Sequence, residues 1–325
     1  MSNLQRIEIS GPEPGPGVIS AQIFAFPNRE RACAAPLDRI AALVDTPGEA
    51  ATALVMLCRL LAEASPERLS ALRAHPLHAL LLADPLTALA QSLPSAEAEW
   101  LDLLLGLGSA AARWQPTSPA GARLHAALRQ SGLAMAARER RLAFAHAVDA
   151  AAARQPRAAV LALGAGHLRE ADLTARAHRL EIWLALEEDS EARAEIRRAH
   201  DRHRRIATAP EGLGRFLAQP LRHGCFDLIY AGTLCDQLPA PALARLARTA
   251  LSTLRPGGRL LLANHAESLA EAPYVTAIMA RPLHGRDEAT LGEILATLPA
   301  AQRGDVTLHR SPSGGMLLAE VVRRG

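Results

Sequence analysis

At 325 residues, 49% apolar and 21% charged, the chain is long enough for one large or two medium domains, and its composition suits a packed core rather than disorder. The net charge is only +3 and no basic face interleaved with aromatics is present, which speaks against a nucleic-acid partner. Four widely spaced cysteines without a CxxC pair predict neither a zinc site nor a disulfide framework, and they fit a reducing cytoplasm.

The first 30 residues lack the basic start and apolar core of a signal peptide. Short strands are expected at 4–9 and 18–26, around a Pro/Gly-rich turn. Residues 36–115 read as a helical layer. Thr46-Pro47-Gly48-Glu49 has the form of a capping box opening a helix. Ser65-Pro66 and Asp84-Pro85 are further N-cap signals, and Ser95 is expected to open a helix through about residue 114. Asp84 and Pro85 interrupt the run LHALLLADPLTALA, which is too short to span a bilayer. These helices predict an N-terminal domain over 1–115, acting as a lid, an acceptor-binding element or a homodimer face. A second domain is expected over 116–325. It begins with a helix from Ser118-Pro119 and an amphipathic helix over 133–153.

From residue 158 the pattern becomes α/β. Strands are expected near 158–163, 180–186, 205–209, 226–231 and 258–263, with helices at 168–177, 190–203, 241–253 and 286–297. A terminal hairpin is expected over 303–309 and 315–322. About seven strands, parallel except for a reversed last one, predict a Rossmann-like sheet of the class I methyltransferase type.

Three local features point to a cofactor. The first strand ends in Gly164-Ala165-Gly166, which admits unusual φ/ψ and close approach of a ligand to the backbone. The second ends in Glu187-Glu188-Asp189, placing a carboxylate where ribose hydroxyls would be bound; Asp189 equally suits a helix cap. Arg169 stands where a dinucleotide fingerprint has its third glycine, which disfavours a pyrophosphate cofactor. S-adenosylmethionine (SAM) has no phosphate and needs only the turn and the acid. A second block, FDLIY from Phe226 and LRPGGRLLL from Leu254, supplies the strand–helix–turn–strand that follows in class I methyltransferases. Ala231 and Gly232, at the end of the fourth strand, complete the expected cofactor contacts.

The stretch FDLIYAGTLCDQLPAPALARLARTALSTLRPGGRLLLANH resembles a bacterial methyltransferase subgroup associated with extracellular-factor (3-hydroxypalmitic acid methyl ester) biosynthesis, whose pattern reads FDLIYSxGLFDYL…L.PGG.L.xxNF. The likeness extends over about 117–325, through RERR (138–141) and VLALGAGHLREA, with Arg169-Glu170 in register. Asp236 is kept. Cys235 and Gln237 replace the subgroup's aromatics, Glu187 replaces its Asp, and Asn264-His265 replaces Asn-Phe. The resemblance implies SAM as cofactor and a small-molecule methyl acceptor, with fatty-acid O-methylation as the named chemistry.

Tyr230, Asp236 and His265 are the candidate catalytic residues at the carboxyl ends of the strands, with His265 as a general base on a hydroxyl or amine. Asn264 is expected to fix its loop. The basic run 197–205 reads as a solvated helix end. His200 and His203 lack a third ligand, so no metal is expected. The alternative function is a catalytically idle SAM-fold binding or scaffold protein.

Overall fold

In a computed structural model, residues 29–93 and 95–325 are described; the strands expected at 4–9 and 18–26 lie outside them. One sheet contains β1 (Ala159–Leu163), β2 (Ile182–Leu186), β3 (Ile206–Ala209), β4 (Phe226–Ala231), β5 (Leu254–His265), β6 (Arg303–Arg310) and β7 (Met316–Arg323). The spatial order is β3-β2-β1-β4-β5-β7-β6. β1 to β5 run parallel, and β7 is antiparallel to both β5 and β6. This is a Rossmann-like sheet, with strand directions as expected from the sequence. β1 is buried along its whole length, as expected of a central parallel strand covered on both faces. The strand order reverses between β1 and β4. The crevice above their carboxyl ends is therefore the natural ligand site.

Helices precede the sheet: α1 (Arg29–Asp45), α2 (Ala50–Ala62), α3 (Pro66–Ala74), α4 (Pro76–Leu82), α5 (Pro85–Ser92), α6 (Glu97–Leu105), α7 (Ala110–Arg113), α8 (Pro119–Gln130) and α9 (Gly132–Arg154). Around the sheet lie α10 (Ser190–Ala199), α11 (Leu213–Ala218), α12 (Thr233–Gln237), α13 (Ala240–Thr253), α14 (Ala272–Ala277) and α15 (Glu288–Ala296). Two apolar clusters flank the sheet. A third fills the helical layer, running from Leu37 to Ala137, and draws in Leu269, Tyr274, Val275, Ile278 and Met279 from the segment after β5. That segment is thus sewn into the helical layer. Tyr274 is fully buried there, its hydroxyl within 2.8 Å of the Thr87 hydroxyl.

Several elements differ from the sequence expectation. Thr46 closes α1 instead of opening α2: its hydroxyl donates to the Ala42 carbonyl, and Gly48 takes a positive φ of 87° before α2 begins at Ala50. Ser65 and Asp84 do cap their helices, accepting from Arg68 N and Thr87 N. The helix expected from Ser95 starts at Glu97 and stops at left-handed Gly106. The Pro-Gly-Gly turn lies inside β5 as an irregularity, with Gly257 at φ 77°, so the strand starts at Leu254.

The largest departure follows β1. The helix expected over 168–177 is two 3-10 turns, Arg169–Leu173 and Ala177–Arg179. Asp149 of α9 accepts from the amides of Ala175 and Arg176, which ties the chain into a bend between them. The long α9 packs against this crossover and against β4 and β5, taking the face an ordinary crossover helix would cover.

Candidate functional site

A cavity of about 900 Å³ opens at the switch point, roofed by α6 and walled by α9. It is of the size that holds a drug-sized ligand. Its floor is the glycine turn. Gly164 and Gly166 have φ of 60° and 54°, and Leu168, which is not glycine, has φ 53°. A left-handed conformation costs an ordinary residue about 1–2 kcal/mol. Two glycines carry most of that cost in this loop, and the burial of Leu168 offsets the rest.

Glu187 joins the ends of β1 and β2. Its Oε2 accepts from Gly166 N at 2.8 Å, and its Oε1 accepts from Asp189 N at 3.0 Å. Each oxygen keeps a lone pair for a further donor from the cavity. Glu188 lies over Gly212, where an added Cβ would strike its carboxylate. Asp189 caps α10, accepting from Glu191 N at 2.9 Å. At the β3 end, Leu213 and Phe216 supply an apolar wall beside Glu211. At the β4 end, Gly232 is pressed under α9: a Cβ there would sit 2.9 Å from the Phe144 ring and 3.0 Å from Arg140 Cδ. Ala231 is fully buried beneath it and is not part of the cavity lining.

The cavity is tied to the helical layer by a charged network. Asp102 of α6 accepts from His167 Nδ1 at 2.8 Å and from Arg169 Nε at 2.9 Å. Arg169 Nη2 also reaches Glu195 at 2.6 Å. Burial would raise the Asp102 carboxyl, but the His167 and Arg169 donors outweigh it and hold it below the ordinary carboxylate range. Arg169, the residue that excludes a dinucleotide fingerprint, thus helps His167 clamp the glycine turn to the helical roof.

Tyr230 lines the cavity, but its hydroxyl is engaged. It donates to Glu170 Oε1 at 2.5 Å and accepts from Trp183 Nε1 at 3.1 Å, with the Phe144 ring at 4.5 Å. Burial raises the Glu170 carboxyl, and it raises the Tyr230 phenol well above its ordinary value, with the neighbouring Glu170 adding to the effect.

Asp236 and His265 come together away from Tyr230. Asp236 Oδ1 accepts from His265 N at 2.7 Å; Oδ2 pairs with His265 Nδ1 at 2.8 Å and with Arg140 Nη1 at 3.1 Å. Burial would raise Asp236, yet His265 and then Arg140 hold it below the carboxylate range. A second, smaller cavity of about 30 Å³ adjoins the first, sharing Glu97, Leu101, Arg140, Thr233 and Gln237 with it. His265 faces this one, with Trp100 and Arg281. Asn264 fixes the loop as expected, donating to the His284 carbonyl at 2.8 Å and accepting from Arg286.

The site therefore contains residues that local patterns did not single out: Glu97, Trp100, Asp102 and Phe144. Arg140 and Glu170 lay in the motifs RERR and RE. Nothing in the local sequence marks Glu97 or Trp100.

Comparison with known proteins places the fold. The chain is similar to a possible exported protein from Bordetella parapertussis, at TM-score 0.57 and 16% identity, over 93% of this chain and 100% of that one. The likeness includes the helical layer. NodS, an N-methyltransferase from Bradyrhizobium japonicum WM9 solved with S-adenosyl-L-homocysteine, is similar at TM-score 0.42 and 14% identity, over 58% of this chain and 88% of that one. Magnesium protoporphyrin IX methyltransferase from Synechocystis PCC 6803, solved with bound SAM, is similar at TM-score 0.39 and 14% identity, over 58% of this chain and 84% of that one. No protein-family profile and no curated protein matches the sequence. Among the described residues, no helix is long and apolar enough to cross a membrane.

Proposed function

We propose that the chain is a SAM-dependent methyltransferase acting on a small-molecule acceptor in biosynthesis or signalling. The observation that carries this reading is the joining of the left-handed Gly164–Gly166 turn to the Glu187 carboxylate in the lining of a cavity of about 900 Å³ over the switch point. That pairing suits a ligand with an amino-acid tail and a ribose diol. A pyrophosphate would meet Arg169 already committed to Asp102 and Glu195, and only a 3-10 turn behind the loop instead of a full helix N-terminus.

When bound, SAM supplies an electrophilic methyl group on a sulfonium, transferred in line to a nucleophilic atom of the acceptor. This chain's residues do the rest. Gly164, Ala165 and Gly166 take the amino-acid tail against backbone. Glu187 accepts from the ribose hydroxyls, and Glu188 lies beside it. Leu213 and Phe216 cover the base, and Gly232 lets α9 close over the sulfonium end. His265 removes the acceptor's proton: with Asp236 ionised and accepting a hydrogen bond from Nδ1–H, the ring presents Nε2 as the base. Tyr230 is a positioning residue, holding Glu170 under the glycine loop.

The deciding measurement is calorimetric titration of the protein with S-adenosylhomocysteine and with NAD. Micromolar binding of the first, and none of the second, is expected. Failure of S-adenosylhomocysteine to bind ends this reading.

A further inference from the structure

Three of the residues that line the small cavity beside His265 each carry a buried polar atom that has no hydrogen-bond partner among the described residues. The atoms are Trp100 Nε1, His265 Nε2 and Arg281 Nη1. Their residues are 4%, 6% and 6% exposed. A buried polar group left unpaired costs about 1–3 kcal/mol, more when charged. Three around one void of about 30 Å³ mark a place where a ligand atom belongs. The guanidinium of Arg281 packs 5.0 Å from the centre of the Trp100 ring, which orients it. Its Nη2 pairs with the Glu97 carboxylate, at the first position of α6. Glu97 lines both cavities, and its partner Arg281 lines the small one. The void has room for little more than a water molecule.

We propose that the acceptor carries a carboxylate that replaces Glu97 on Arg281, so that Glu97 is both the latch of the acceptor site and a built-in stand-in for the acceptor's charge. The proposal rests on the methyltransferase reading above. The chemistry is an exchange of one carboxylate for another: Arg281 keeps its ion pair, while Trp100 Nε1 and Arg281 Nη1 gain an acceptor atom. Glu97, 28% exposed in its side chain, swings to solvent. A neutral ligand would leave Arg281 uncompensated once Glu97 left, and the site discriminates against it for that reason. Because α6 also carries Asp102, which clamps the glycine turn, opening the latch reaches the cofactor side through the same helix.

The test uses the full chain with benzoate and hexanoate as probes, and benzamide and hexanamide as neutral controls, by calorimetry with and without saturating S-adenosylhomocysteine. Glu97→Gln should bind the carboxylates about tenfold more tightly than wild type, as expected when an internal competitor that fills the site nine-tenths of the time is removed. Arg281→Gln should lose carboxylate binding, and Arg281→Lys should keep part of it. The amides should bind weakly to every variant. The gain in Glu97→Gln cannot arise from misfolding, so it decides the matter even if Arg281→Gln unfolds. Equal binding of benzoate and benzamide to Glu97→Gln, or no gain over wild type, overturns the proposal. Failure of S-adenosylhomocysteine to bind while the benzoate pattern holds would remove the methyltransferase reading and leave the anion site standing.

Discussion

The two cavities are built by opposite means. The large one is shaped by backbone: a left-handed glycine turn, a glycine under α9, and strand ends set by β-pairing. Glu187, the carboxylate beside that turn, is positioned by amides of the same turn and its own strand end. The small one is shaped by side chains drawn from α6, α9, α12, β5, α14 and the segment after it, and an ion pair lies in its wall. A backbone-built site tolerates sequence variation around it but not changes of φ. A side-chain site depends on each charge having its partner.

The sharpest way to break the comparison is at Asp236. Asp236→Ala removes the only carboxylate paired with buried Arg140 among the described residues and frees His265 Nδ1. A loss of roughly 3–5 kcal/mol in urea unfolding is expected, the cost of a buried charge without its partner. The folded fraction should still bind S-adenosylhomocysteine. If stability is unchanged, the acceptor side is not the charge-dependent half.

Glu187→Ala probes the other half. It should weaken S-adenosylhomocysteine by about 1–3 kcal/mol, a fall in affinity that calorimetry resolves easily. A dissociation constant equal to wild type would remove Glu187 from the ribose role.

Gly166→Ala isolates the backbone contribution. A Cβ there meets Ala98 at 3.4 Å, an ordinary contact, so φ of 54° is the main obstacle. About 1–2 kcal/mol of stability should be lost, together with cofactor affinity. A neutral result in thermal unfolding would show that the turn adapts without strain.

The smallest effect is a pH dependence. Burial raises the Glu170 carboxyl in the folded chain. The stability this group contributes is therefore fully present below its unfolded value of about 4.3 and lost as pH rises through the folded value. Glu170→Gln removes that titration and still offers Tyr230 a hydrogen-bond acceptor. Wild-type stability minus that of Glu170→Gln should fall as pH increases from 4 towards neutrality. Asp236, shifted the opposite way, is common to both proteins and cancels. A difference that stays flat, measured by urea unfolding at each pH, would place Glu170 in an ordinary carboxylate environment.

The chain by itself determined most of the sheet. β4 spans the six residues of FDLIYA as expected, and β1, β2 and the terminal hairpin lie within a residue or two of their expected ends, because continuous apolar runs bounded by turns are local signals. Gly164, Gly166 and Glu187 were legible for the same reason: a strand end and a glycine turn are properties of a few consecutive residues. The capping box at Thr46 failed because the same four residues serve as the exit from α1, and local chemistry cannot say which helix a turn belongs to. The helix after β1 failed because Asp149 of α9, far away in sequence, holds the amides that would have continued it. Tertiary structure alone decided that Tyr230 is spent on Glu170 while His265 is turned to Asp236, and that Glu97, Trp100 and Arg281 converge on one void. Burial of a polar atom is a property of what packs around it, and here the helical layer and the segment after β5, distant in the chain, close over the strand ends together.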